Sequence, residues 1–226
     1  MATEQQIPKL AGALVEHQDA FLSLPTEDAQ WIIQNTRAAI VLFVGAVKAR
    51  TKAVVQNILS VFKSVTIEAT AEKKTTDCFT DKKRYYYCDP NFDNLLPEIQ
   101  EAQPAGEITA HRLAREAKFV EMVQGLLGTT ETDLAVLSRL AIQTGHVFTL
   151  PQIEALIERQ ETGEDMGLRL DSWANFFLVL NKNGSVSVVG MGWYGGGWSV
   201  FLNPLGRNEV WNVGCRFFSH NKTLGL

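Results

Sequence analysis

Between Asn175 and Ser219 the chain alternates β-prone runs with glycine turns, and this pattern constrains the fold more than any other segment. Asn175 to Leu180 is a strand-like run, and Asn181-Lys182-Asn183-Gly184 follows it. An Asn-Gly pair between two β-prone runs is the strongest short-range hairpin signal, because both central residues of a type I′ turn need φ > 0. Ser185 to Met191 returns. Gly195-Gly196-Gly197 makes a second, looser turn between Trp193-Tyr194 and Trp198. Trp198 to Leu202 gives a third strand, Pro204 to Asn208 turns again, and Val210 to Ser219 gives a fourth. Consecutive strands joined by short loops predict an antiparallel meander.

Upstream, helix signals dominate. Thr149-Leu150-Pro151-Gln152 is a capping box with proline in the first turn, where its missing N–H is tolerated, and it opens a helix ending near Gly163. Thr130 to Asp133 also has the capping-box form, a hydroxyl followed three residues later by a carboxylate, ahead of Leu134, Leu137 and Leu140. A longer helix is expected over Thr109 to Leu127, closed by Gly128. Nearer the N-terminus, Ile7 to Val15 has helical spacing. Thr26 caps a short helix with Glu27 and Asp28 in its first turn, a placement the helix dipole favours. Thr36 opens another helix, running on through Val54, Ile58 and Phe62. Ser64 to Ala69 alternates as a strand should, and Arg84 to Cys88 has high strand propensity. Pro97 to Gly106 reads as a linker.

The expected fold class is therefore α+β: a helical N-terminal half with a small β insertion, then a helical pair packed on a four-stranded antiparallel meander. Two regions are expected. Residues 1–103 are helical with short strands near 64–69 and 84–88, and residues 104–226 carry a helical segment and the sheet module.

Charge and cysteines bound the function. The net charge is −4. Proteins that work by phosphate neutralisation usually carry excess lysine and arginine, so the balance disfavours a general nucleic-acid binder. The three cysteines, Cys78, Cys88 and Cys215, are too few and too odd in number for a disulfide framework, and fit a reducing compartment. The N-terminus has no signal-peptide pattern. The ten-residue apolar run Ala38 to Val47 is too short for a bilayer. A cytoplasmic protein with no membrane contact is expected.

No motif carries chemistry on its own. Cys78 and Cys88 are spaced too widely for a zinc knuckle. His17, His111, His146 and His220 sit in unrelated contexts without a nucleophile signature. No catalytic, metal or cofactor residue is assigned, and the chain reads away from an enzyme. The two helices before the sheet resemble a winged-helix arrangement, but Glu154, Glu158 and Glu161 on the second helix would repel phosphate. The basic tract Lys82, Lys83 and Arg84 beside Tyr85 and Tyr87 suits single-stranded nucleic acid by stacking and cation tracking, although Asp77, Asp81 and Asp89 interleave. The last quarter of the chain holds Trp173, Trp193, Trp198 and Trp211, together with Tyr194. Exposed aromatics of this kind mark interaction surfaces.

Several blocks resemble a family of uncharacterised hypothetical proteins from candidate-phylum bacterial genomes: residues 27–35, residues 149–160 with Gly163-Glu164, Asn175-Phe176-Phe177, Gly184-Ser185-Val186, Trp198, Trp211 and Cys215 to Ser219. The family has no known activity, so the resemblance implies a bacterial source and no function. Its tail usually ends Phe-Ser-Arg-Asn, where this chain has Ser219-His220-Asn221, so a role requiring an arginine there does not carry over. The expected function is that of a non-enzymatic interaction or structural protein whose Trp-rich sheet binds a protein partner or a second copy of itself as a homo-oligomer. The alternative is a nucleic-acid-binding accessory protein using residues 82–87.

Overall fold

Phe176, Phe177, Leu178 and Val179 are four successive residues almost without solvent contact. A strand apolar on both faces needs cover on both sides. The structure, a computed structural model, provides it. It describes residues 26–37, 39–41 and 58–220. The chain divides into two compact units, Met1–Arg50 and Thr51–Leu226. The first contains helix α1 (Thr26–Gln34), with Glu27 and Asp28 in its first turn. The expected helix over Ile7 to Val15, and the expected helix from Thr36 as far as residue 57 apart from residues 36, 37 and 39–41, lie outside the described residues.

The second unit is built on one mixed eight-stranded sheet. Its strands are β1 (Leu59–Ile67), β3 (Tyr85–Cys88), β5 (Gly106–Leu113), β6 (Val147–Phe148), β7 (Asn175–Leu180), β8 (Val186–Tyr194), β9 (Gly197–Pro204) and β10 (Arg216–His220). The order across the sheet is β1-β5-β10-β7-β8-β9-β3. β6 pairs with β7 at Leu178 and Val179, beyond the point where β10 pairs with Asn175 and Phe176. β2 (Lys73–Lys74) and β4 (Ile99–Gln100) form a separate ribbon. Helix α2 (Phe92–Leu95) is a single turn. Helices α3 (Phe119–Leu127) and α4 (Leu134–Gln143) pack on one sheet face through Phe119, Met122 and Leu137 against Phe176, Leu178 and Val188. Helix α5 (Leu150–Glu161) packs on the other through Ile153 and Leu156 against Phe177 and Val179.

This corrects the expected fold class. The N-terminal half is not helical with a small β insertion, because residues 59–113 contribute β1, β3 and β5 to the main sheet. The four-stranded meander is not present either. β7, β8 and β9 follow one another antiparallel, but β10 crosses back to lie between β5 and β7, parallel to β7. The expected boundary at residues 103–104 falls between β1 and β5, which pair along their length. Leu59 to Phe62, expected to end a helix, opens β1. The expected helix from Thr109 is instead β5 followed by α3. Ile108 and Ala110 face one core and Leu113 the other, so a period of 2 wins over a period of 3.6. Asp133 caps α4, accepting from Ala135 N at 2.8 Å and Val136 N at 3.3 Å. α5 starts at Thr149 as expected, but only half of its capping box forms: Thr149 N donates to Gln152 Oε1 at 3.0 Å, while the Thr149 hydroxyl has no hydrogen-bond partner.

The two hairpin turns exchange characters. Asn183 is not among the residues at positive φ and only Gly184 (φ +78°) is left-handed there, so that turn is not type I′. Gly195 and Gly196, at φ +58° and +94°, form the two-residue loop between the paired residues Tyr194 and Gly197. This is the backbone condition of a type I′ turn. A Cβ on Gly196 would meet nothing within 4 Å, so Gly196→Ala isolates the backbone strain. It is expected to cost about 1–2 kcal/mol in urea denaturation. A loss near zero would show that the turn relaxes into another form.

Candidate interaction site

Alternation along β8 places Val186, Val188, Gly190, Gly192 and Tyr194 on the face that carries α3 and α4. The helices cover the first two positions, where Val186 and Val188 join their core. Beyond them no described helix covers the strand, and Gly190 and Gly192 are instead buried under Phe176, Asn203 and the Tyr194 ring. Gly190 and Gly192 leave a cleft of about 190 Å³, walled by Phe176, Tyr194, Phe201 and Trp211. A glycine inside a strand removes the side chain that would fill such a space. The Tyr194 ring folds back over Gly192, where an added Cβ would come within 2.7 Å of it. Its hydroxyl donates to Ser172 O at 3.2 Å. Phe201 lies opposite Gly190 in register, and its ring packs against Tyr87 at 4.9 Å between centroids. Trp211 stacks on Phe119 at 5.3 Å and meets Phe176 edge-on at 4.7 Å. The polar rim is Arg207, which donates to Asn203 Oδ1, pairs with Glu209 at 2.5 Å and lies over the Trp211 ring at 5.9 Å. Tyr194 and Phe201 are 45% and 42% exposed.

Of the aromatic residues named from sequence, Tyr194 and Trp211 therefore meet at one cleft. Trp198 does not. It is fully buried on the opposite sheet face, edge-on to Trp193 at 5.3 Å, with its indole N–H donating to Glu161 Oε1 at 3.2 Å. Trp193 is half-buried beside it. Trp173 covers Gly214, where a Cβ would lie 2.4 Å from its ring.

The basic tract has a different setting. Lys82 and Lys83 are exposed, but Arg84 pairs with Glu158 at 2.8 Å and Glu161 at 2.9 Å. Lys73 pairs with Glu154 at 2.7 Å, and Glu154 also accepts from Phe79 N at 2.7 Å. The acidic face of α5 and the basic tract thus bind each other. Tyr85 is buried edge-on to Phe79 at 5.1 Å, while Tyr87 is half-exposed on the cleft side, against Phe201.

The histidines are closer than their sequence positions suggest. His111 on β5 and Ser219 on β10 share a hydrogen bond of 2.8 Å between Nε2 and Oγ. Burial, with a smaller contribution from His146, pushes His111 down to about 4. His220 stacks on Phe148 at 4.2 Å. Ser219 is itself buried, so the pair has the atoms of a nucleophile and base but no approach for a substrate. Among the described residues no group of three or more His, Cys, Asp or Glu could hold a metal ion. No described helix is long and apolar enough to cross a membrane.

Cys78 and Cys88 both line a recess of about 200 Å³ beneath α2 and the 75–77 turn. Burial pushes their thiols up to about 12 and about 11. The thiolate is the reactive form. Iodoacetamide at pH 8 is therefore expected to label both slowly in the folded protein and rapidly in urea. Rapid native labelling of Cys78 would contradict its burial.

No family model, curated protein or solved structure matches the chain.

Proposed function

We propose that the protein acts by binding rather than by catalysis, and that it docks a protein partner through an aromatic side chain seated in the cleft between Tyr194 and Phe201. The observation that carries this reading is the apolar cleft itself, with Gly190 and Gly192 in its lining and half-exposed Tyr194 and Phe201 at its border. The cleft, at about 190 Å³, is smaller than the roughly 300–1,000 Å³ of most small-molecule sites. Its size and apolar walls suit one ring of a partner chain. Tyrosine, phenylalanine, tryptophan and arginine are the residues protein interfaces favour, and here they stand together as Tyr194, Phe201, Trp211 and Arg207.

Panning a random peptide library on the immobilised protein tests the proposal. Selected peptides are expected to share an aromatic residue. They should bind Phe201→Ala at least about tenfold more weakly, roughly 1.4 kcal/mol, while that variant keeps its fold. Failure to enrich any motif, or peptides indifferent to Phe201→Ala, would sink the proposal.

A further inference from the structure

On the other face of the sheet, at its β1 end, the chain buries an arginine where no carboxylate receives it. Arg216 is 4% exposed, and its Nε has no hydrogen-bond partner. It lies directly opposite Arg112 in the antiparallel β5–β10 pair. Like charges in that position repel, and burying an unpaired charge is costly. Both guanidiniums lie over the same ring, that of Phe62, at 4.2 Å for Arg112 and 4.3 Å for Arg216. The ring offsets part of this cost through its π face. The ring's π face accepts no conventional hydrogen bond in the guanidinium plane, and the Arg216 Nε is left without an acceptor.

Arg216 and Phe62 line a pocket of about 350 Å³ formed with the 165–171 loop, where Arg169, Asp171, Gly167 and Leu168 complete the wall; Arg112 stands outside that wall, sharing the Phe62 ring with Arg216. The two carboxylates present are already engaged. Asp171 pairs with Arg169, and Asp165 pairs with Lys63 at 2.7 Å. Four cations, Lys63, Arg112, Arg169 and Arg216, thus face two carboxylates, leaving an excess of two positive charges on Arg112 and Arg216. Burial, reinforced by the Arg169 and Arg112 charges and opposed by the nearby Asp171 carboxylate, holds the Arg216 guanidinium below its ordinary range.

We propose that this pocket binds a phosphate dianion, with Arg216 and Arg112 as its ligands and Arg169 as a third charge. The forked donors of arginine match phosphate oxygens two at a time. The pocket is wider than a bare phosphate, so the group can be inorganic phosphate or the phosphate of a small monoester. The site lies apart from the glycine cleft and does not depend on that reading.

Calorimetric titration at fixed ionic strength tests the proposal, with inorganic phosphate and phenyl phosphate in separate arms and acetate and chloride as controls. Saturable binding is expected in at least one phosphate arm. Tighter binding of phenyl phosphate would identify a monoester, and tighter binding of inorganic phosphate the free ion. Arg216→Met and Arg112→Met should each weaken binding about tenfold or more, while Lys82→Met, away from the pocket, leaves it unchanged. Arg112 is exposed, so Arg112→Met decides the matter if Arg216→Met does not fold. Absence of saturable binding in both phosphate arms, equal binding of acetate, or unchanged affinity in Arg112→Met would overturn the proposal.

Discussion

Trp198→Ala is expected to destabilise the protein by about 3–5 kcal/mol, the range for removing a large buried aromatic ring. Trp198 has no solvent contact, pairs in register with Tyr85 across β9 and β3, and meets Trp193 edge-on. Its indole N–H also ties the sheet to Glu161 at the end of α5. Truncation leaves a cavity in the core under α5 and removes that link. Since domains are commonly stable by only about 5–15 kcal/mol, the variant should unfold at much lower urea. Trp198→Phe, which keeps a ring but loses the hydrogen bond, should lose less. A near-neutral Trp198→Ala would place the ring outside the core. The contrast with Phe201→Ala matters for function: lost binding in Trp198→Ala would report unfolding, and in Phe201→Ala the cleft.

Acid is expected to destabilise the fold through His111. Its folded-state value near 4 lies below the ordinary value of about 6.5. Between those limits the unfolded chain binds a proton that the folded protein refuses, so stability is full above the upper limit and falls as pH is lowered. At about 1.4 kcal/mol per pH unit, the loss approaches about 3 kcal/mol by pH 4. Urea denaturation at steps from pH 7 to pH 4 measures it. His111→Gln should flatten the slope between pH 6.5 and 5, above the range where ordinary carboxylates titrate. An unchanged slope in that variant would assign the acid sensitivity elsewhere.

Local signals in the sequence were legible where they act locally. The start of α5 at Thr149, the Tyr85–Cys88 strand and the β7–β8–β9 hairpins follow from turn and cap chemistry within a few residues. What was not legible depends on distant partners. β10 lies between β5 and β7 because Phe217 and Phe218 can each fill a separate core there, and no nearby residue encodes that crossing. The stretch around Ile108 to Leu113 suits a helix by its alanine and arginine content and becomes a strand only because β1 and β10 flank it. Tyr194 and Trp211 could be named as candidates, but Gly190, Gly192 and Phe201 were missed. Glycines two apart in a strand, on one face, were the available signal for a cleft there. Arg216 was the corresponding signal for the second pocket, a charge set between Cys215 and two phenylalanines in an otherwise apolar run.

The proposed docking surface is the cleft between Tyr194 and Phe201, with Gly190 and Gly192 in its lining. Amide chemical-shift mapping during titration with a library-selected aromatic peptide tests this most directly. Perturbations are predicted to concentrate at Gly190, Gly192, Tyr194, Ser199 and Phe201. Perturbations confined to α5 or to the β1 edge, with the Gly190 and Gly192 amides unmoved at saturation, would contradict it.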